Sequence, residues 1–166
     1  VIEPEVLMEG QHTIEQAAAV QEDVLTAVYH ALHENHVFLE GSILKPSMAC
    51  PGSQCLQQAT KEQVADFTIR TLERTVPCAV PGIAFLSGGL LEVQASLYLN
   101  AINQQKRKAP WTMTFSFGRG LQQSCLKVWR GRRENESAAQ AALLARARAN
   151  SEASLGKYVS GSQPYI

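Results

Sequence analysis

Short apolar runs alternate with amphipathic stretches along almost all of this 166-residue chain, and no other feature restricts its fold so strongly. An apolar run of strand length, then a helix, then another such run leaves few ways to bury both kinds of element. The compact arrangement is a parallel sheet covered by helices, because each helix carries the chain back to the start of the next strand. In chain order, Val1-Ile2 reads as the end of a strand. Thr13 opens a helix, with Gln16 placed to complete a capping box, and Val20, Val24, Ala27, Val28, Ala31 and Leu32 keep the helical period to about Glu34. The run Val37-Phe38-Leu39-Glu40-Gly41-Ser42-Ile43-Leu44 reads as a mostly buried strand, stopped by Lys45-Pro46. Thr60 and Gln63 form a second capping box before a helix that ends near Arg74. The strand Gly82-Ile83-Ala84-Phe85-Leu86 is expected to end at Ser87-Gly88-Gly89, and a helix to follow from Leu91 to Asn103. A strand over Trp111 to Ser116 and helices near Leu121–Trp129 and Glu134–Asn150 complete the pattern. A Gly- and Ser-rich tail from Gly156 is expected to be loose.

Composition narrows the function. Lys+Arg 15 balances Asp+Glu 15, so the chain lacks the basic excess of a nucleic-acid binder or a polybasic membrane anchor. No apolar run approaches the roughly 18 residues that span a bilayer. The opening Val1-Ile2-Glu3-Pro4-Glu5 reads as neither a signal nor a transit peptide. Cys50, Cys55, Cys78 and Cys125 have no zinc-type spacing and read as reduced thiols. His30, His33 and His36 fall at a helix end and read as exposed side chains rather than as a metal cluster. No metal site is expected.

The chemistry-bearing residues Glu3, Lys45, Ser87 and Arg119 all fall at expected strand C-terminal ends, each separated by enough chain for one strand, one helix and a return. Ligands bind at that rim in parallel barrels and in open sheets alike. A lysine at the end of an apolar strand is partly desolvated, which increases the neutral amine fraction able to attack a carbonyl. The plain alternative is a snorkelling side chain. Glu3 and Glu5 lie on one face of an extended segment, where one carboxylate can shuttle protons while the other orients an ammonium. A solvated acidic strand end explains them equally well. Ser87-Gly88-Gly89 can turn backbone N–H groups towards an anion at a helix start, or serve as an ordinary turn. Gly118-Arg119, at the next strand end, could close on the same phosphate.

These residues lie within longer motifs. Val1-Ile2-Glu3-Pro4-Glu5-Val6-Leu7, Leu39-Glu40-Gly41-Ser42-Ile43-Leu44-Lys45-Pro46, Phe85-Leu86-Ser87-Gly88-Gly89 and Phe115-Ser116-Phe117-Gly118-Arg119 resemble class I fructose-bisphosphate aldolase in order and spacing. The resemblance continues through Leu155-Gly156-Lys157-Tyr158. It implies an α/β fold, a parallel (β/α) barrel of which this chain supplies about the second half, strands five to eight of an eight-stranded TIM barrel. Residues 1–155 are then the barrel half and 156–166 a flexible tail. The implied reaction is reversible cleavage of fructose 1,6-bisphosphate to dihydroxyacetone phosphate and glyceraldehyde 3-phosphate through a lysine Schiff base, with neither metal nor cofactor. By this resemblance Lys45 is the Schiff-base lysine, Glu3 the proton-transfer glutamate and Glu5 the carboxylate supporting the lysine. Ser87, Gly88, Gly89, Ser116, Gly118 and Arg119 bind a substrate phosphate.

The implied partners are a sugar bisphosphate and triose phosphates, with no nucleic acid and no membrane, in a homo-oligomer (a tetramer in the resembled family). Phe117-Gly118-Arg119 and Ser151-Glu152-Ala153 resemble the cytosolic plant-type variants and imply a cytoplasmic protein, a plastid location staying open. Leu90-Leu91 stand where the family has a polar pair, and Gly120 where it has alanine. The family's functional tail tyrosine is not carried over to Tyr165. The first strand begins in mid-element, and the family's aspartate and further basic residues have no counterpart. The chain therefore reads as a fragment, expected to be incomplete for catalysis alone. The alternative is a non-catalytic sugar-phosphate-binding or interaction module derived from an aldolase.

Overall fold

The computed structural model describes residues 1–105 and 109–161. Three parallel strands, β1 (Ile43–Leu44), β2 (Gly82–Phe85) and β3 (Thr112–Phe115), lie in the order β1-β2-β3. Leu44 is level with Ile83 and Ile83 with Met113, so these side chains share one face of the sheet. All three are buried, whereas Ala84 and Thr114 on the opposite face are only half-buried. The buried face meets Leu25, Val64, Ile69, Leu72, Leu99 and Ile102 from the helices, which forms the core.

Among the described residues five helices accompany the sheet: α1 (Ile14–Glu34), α2 (Lys61–Thr75), α3 (Glu92–Gln105), α4 (Arg119–Trp129) and α5 (Glu136–Ser154). Both expected capping boxes form. The Thr13 and Thr60 hydroxyls accept the Gln16 and Gln63 N–H groups, and each glutamine side chain returns a bond to the cap backbone. Each box satisfies two N–H groups that a helix start otherwise leaves unpaired.

Three expectations need correction. The expected strand over 37–44 shrinks to Ile43–Leu44. His36 takes a left-handed conformation (φ 53°) after α1, Val37 N–H donates to Leu32 C=O, and a 3₁₀ turn at Leu39–Gly41 delays the extended segment. Local hydrogen bonds thus claim the backbone groups that a strand would need, and Phe38 is left 73% exposed. The last two helices start earlier or run longer than their apolar pattern shows, so Arg119 is the first residue of α4 rather than part of a loop. The tail from Gly156 is not loose throughout. Tyr158 is buried, and its N–H donates to Asn100 Oδ1 at 2.8 Å. Residues 162–166, with Tyr165 among them, lie outside the described residues.

Candidate active site

Ile2 reaches β1 through a single parallel bridge to Leu44. Its N–H donates to Ile43 C=O at 2.9 Å, and Lys45 N–H donates back to Ile2 C=O at 2.7 Å. This register sets Glu3 level with Lys45. Lys45 Nζ lies 2.8 Å from Glu3 Oε1, the lysine side chain 21% exposed and the glutamate 51%. A pair so open to solvent contributes about 1 kcal/mol or less to folding. Its value lies in fixing where the amine sits.

The strand ends beyond Lys45 are tied together in sequence. Pro46 C=O accepts Leu86 N–H at 3.0 Å, and Phe85 C=O accepts Ser116 N–H at 2.8 Å, which draws the β1, β2 and β3 ends to one rim. Ser47 holds the acidic segment against that rim, because its Oγ accepts Val6 N–H at 3.1 Å. Its carbonyl is fixed in turn by buried Gln21, whose Nε2 donates to it at 2.6 Å.

The Ser87 hydroxyl, buried at the end of β2, accepts the N–H of Gly120 at 3.2 Å. With its acceptor role filled by a neighbour, its own proton remains available to an anion. Gly88 sits at φ +49°, and a Cβ there would come within 3.3 Å of Glu5 Oε1. Glu5 therefore reaches over the Ser87-Gly88 turn, while Glu3 makes the contact with Lys45. The two carboxylates are divided between the amine and the turn.

Glu3, Glu5, Lys45, Leu86, Ser87, Gly88, Ser116, Gly118 and Arg119 surround one cleft of about 290 Å³. Eight of these nine are residues that the sequence nominated. Leu86 is the addition, an apolar wall that its chemistry could not have flagged. Gly89 is the exception in the other direction, since its nearest neighbour is Met8 rather than the cleft. A larger apolar groove of about 520 Å³, lined by Trp129, Ala139 and Leu143 among others, holds none of the nominated residues. Cys50 lies buried under the rim, and burial pushes its thiol up to about 12, which keeps it protonated and inert.

Chemically, the cleft offers an amine held by a carboxylate at one end. At the other it offers a hydroxyl, glycine backbone and a guanidinium at a helix start, a combination suited to a phosphate. Fold and cleft together define a parallel α/β protein with a lysine-centred site at the sheet's C-terminal rim. The family model of fructose-bisphosphate aldolase class-I matches residues 1–165, and the chain belongs to that family. The cytoplasmic isozyme of fructose-bisphosphate aldolase from Spinacia oleracea is 54% identical over 162 residues, which is 98% of this chain and 45% of that protein. Cytoplasmic isozyme 2 from Pisum sativum is 57% identical over the same shares. A solved Plasmodium falciparum fructose-bisphosphate aldolase, in a complex with TRAP and a small-molecule inhibitor, superimposes with a TM-score of 0.92 at 50% identity. That match covers 95% of this chain and 45% of the other, so the chain spans about half the length of these relatives. Its architecture is aldolase-like α/β with parallel strands. Among the described residues, no helix is long and apolar enough to cross a membrane.

Proposed function

We propose that this chain carries the Schiff-base and phosphate-holding part of a class I fructose-bisphosphate aldolase. The reaction is cleavage of fructose 1,6-bisphosphate to dihydroxyacetone phosphate and glyceraldehyde 3-phosphate, and its reverse. The observation that carries this reading is the Lys45–Glu3 pair, at 2.8 Å, within one cleft with Ser87, Gly88 and Arg119. Lys45, as the free amine, adds to the ketone carbonyl, and water leaves to give a protonated imine. When the carbon–carbon bond breaks, a carboxylate base takes the proton of the hydroxyl on the departing carbon, the imine takes up the bond's electron pair as an enamine, and the aldehyde triose departs. Protonation of the enamine and addition of water then release dihydroxyacetone phosphate and restore the amine. Glu3, in contact with Nζ, is placed to exchange the protons of imine formation and hydrolysis. Glu5 is the carboxylate that supports the lysine, and the Ser87-Gly88 turn, with Ser116, Gly118 and Arg119, holds the phosphate end; Gly89 acts through the turn rather than by contact.

The three strands and the Ile2 bridge are proposed as part of strands five to eight of an eight-stranded barrel. Residues 1–155 then form the barrel half, and 156–166 the tail. The same reading makes the protein cytoplasmic and a homo-oligomer, which light scattering of the purified protein tests.

Borohydride reduction in the presence of dihydroxyacetone phosphate tests the chemistry. The expected result is a triose adduct on Lys45, with Lys61 and Lys127 unlabelled. Phosphate binding without any Lys45 adduct would instead establish a non-catalytic phosphate-binding module.

A further inference from the structure

The two halves of the phosphate cradle belong to different helices. Ser87 and Gly88 lead into α3, while Gly118 and Arg119 begin α4. What fixes one helix against the other decides whether both halves can meet a single anion. Glu92, the first residue of α3, makes that connection. An acidic residue in a first turn ordinarily faces the unpaired N–H groups of its own helix. Glu92 reaches across instead. Its Oε1 accepts the Ser124 N–H of α4 at 2.9 Å, and its Oε2 accepts the Ser124 hydroxyl. Arg146 of α5 braces the same turn from behind, donating to Glu92 C=O at 2.6 Å and to Ser96 Oγ at 2.5 Å. Ser96, fully buried, donates its hydroxyl to Asn150 Oδ1 at 2.6 Å. A direct bond between the two phosphate turns, Gly120 N–H to Ser87 Oγ, depends on this spacing. At Gly120 a Cβ would fall 2.9 Å from Ser87 Cβ and 3.4 Å from Ala95 Cβ of α3, so the start of α4 lies close against both the Ser87 turn and α3.

We infer that Glu92 is a positioning residue for a phosphate dianion, holding α3 against α4 so that the Ser87-Gly88 turn and Arg119 converge on one anion. The inference rests on the phosphate reading of the cleft. Glu92 does not line the cleft, so it acts through the two helix starts. Charge-assisted bonds from a carboxylate are short and directional, and displacement of a binding group by about 1 Å can cost up to ~10²-fold.

The test titrates inorganic phosphate into the protein as its gene encodes it, following the Gly88 and Arg119 amide resonances. Glu92→Ala is expected to bind phosphate roughly tenfold more weakly. Glu92→Gln keeps an acceptor for the Ser124 N–H, and the Ser124 hydroxyl can turn to accept its amide. It should restore affinity to within about threefold of wild type. Gln94→Ala removes a different α3 bond, the one from Gln94 Nε2 to the Tyr98 hydroxyl, and should leave affinity unchanged whatever it does to stability. If Glu92→Ala does not fold, Ser124→Ala removes the hydroxyl half of the same strap, leaving the backbone N–H bond to Glu92, and should weaken binding by about threefold. Wild-type affinity in Glu92→Ala, or an equal loss in Gln94→Ala, overturns the positioning role alone. No phosphate response in the wild type overturns the phosphate reading, and this inference with it.

Discussion

Arg119→Ala separates binding from folding by the sign of its effects. Arg119 is exposed at the first position of α4, and no carboxylate pairs with it among the described residues. A cation there opposes the helix dipole, an arrangement that costs about 0.3–1 kcal/mol. Alanine is also slightly the better helix former, by a few tenths of a kcal/mol. Removing the side chain should therefore leave stability unchanged or raise it by about 0.5 kcal/mol, a Tm gain of roughly 1–2 °C. A fold-supporting arginine would give the opposite sign. The guanidinium borders the cleft beside Ser87 and Gly118, where a charge-assisted bond to phosphate is worth about 1.5–3 kcal/mol. Solvent reaches this side chain, so the lower part of that range applies, about 2 kcal/mol or roughly a thirtyfold loss of affinity. Differential scanning fluorimetry and a phosphate titration on one preparation measure both quantities. A Tm drop of several degrees with normal phosphate affinity would refute the reasoning, since Arg119 would then be supporting α4 rather than waiting for an anion.

Two further outcomes follow from local structure. Leu91 occupies the position that caps α3, where its carbonyl accepts Ala95 N–H at 2.9 Å, yet its side chain is 67% exposed and cannot bond the free N–H groups. Leu91→Ser should stabilise the protein by about 1 kcal/mol, read as a rise of roughly 2–4 °C in Tm. Burial raises Cys50 from 9.0 and Tyr29 from 10.0, each to about 12, so the folded protein keeps protons that the unfolded chain releases first. Their contribution is intact below about pH 9 and is lost as pH rises from there towards 12. Urea midpoints between pH 8 and 12 should fall accordingly, and in Cys50→Ala the decline should begin about one pH unit later.

Much of this protein is determined by its residues taken in order. The apolar period marks α1 to α5 apart from the exact ends of α4 and α5, and Thr13–Gln16 and Thr60–Gln63 fix two helix starts to the residue, because a capping box needs only four residues of local geometry. Lys45, Ser87 and Arg119 were legible as rim residues because each ends an apolar run and precedes a turn or helix. The shortening of the expected strand over 37–44 to Ile43–Leu44 was not legible. Hydrophobic composition does not register that His36, in the left-handed region, and the 3₁₀ turn at Leu39–Gly41 satisfy the same backbone groups locally. The division of labour between Glu3 and Glu5 was equally hidden, for it depends on the register of the Ile2 bridge and on the bare backbone of Gly88. Nothing in the order of residues marks Glu92, and only the packing of α3 against α4 turns its carboxylate towards Ser124. Local periodicity and capping thus belong to the sequence alone, since neighbours in the chain decide them. Which carboxylate meets which partner depends on the distance between elements far apart in the chain, and that distance exists only once the core has formed.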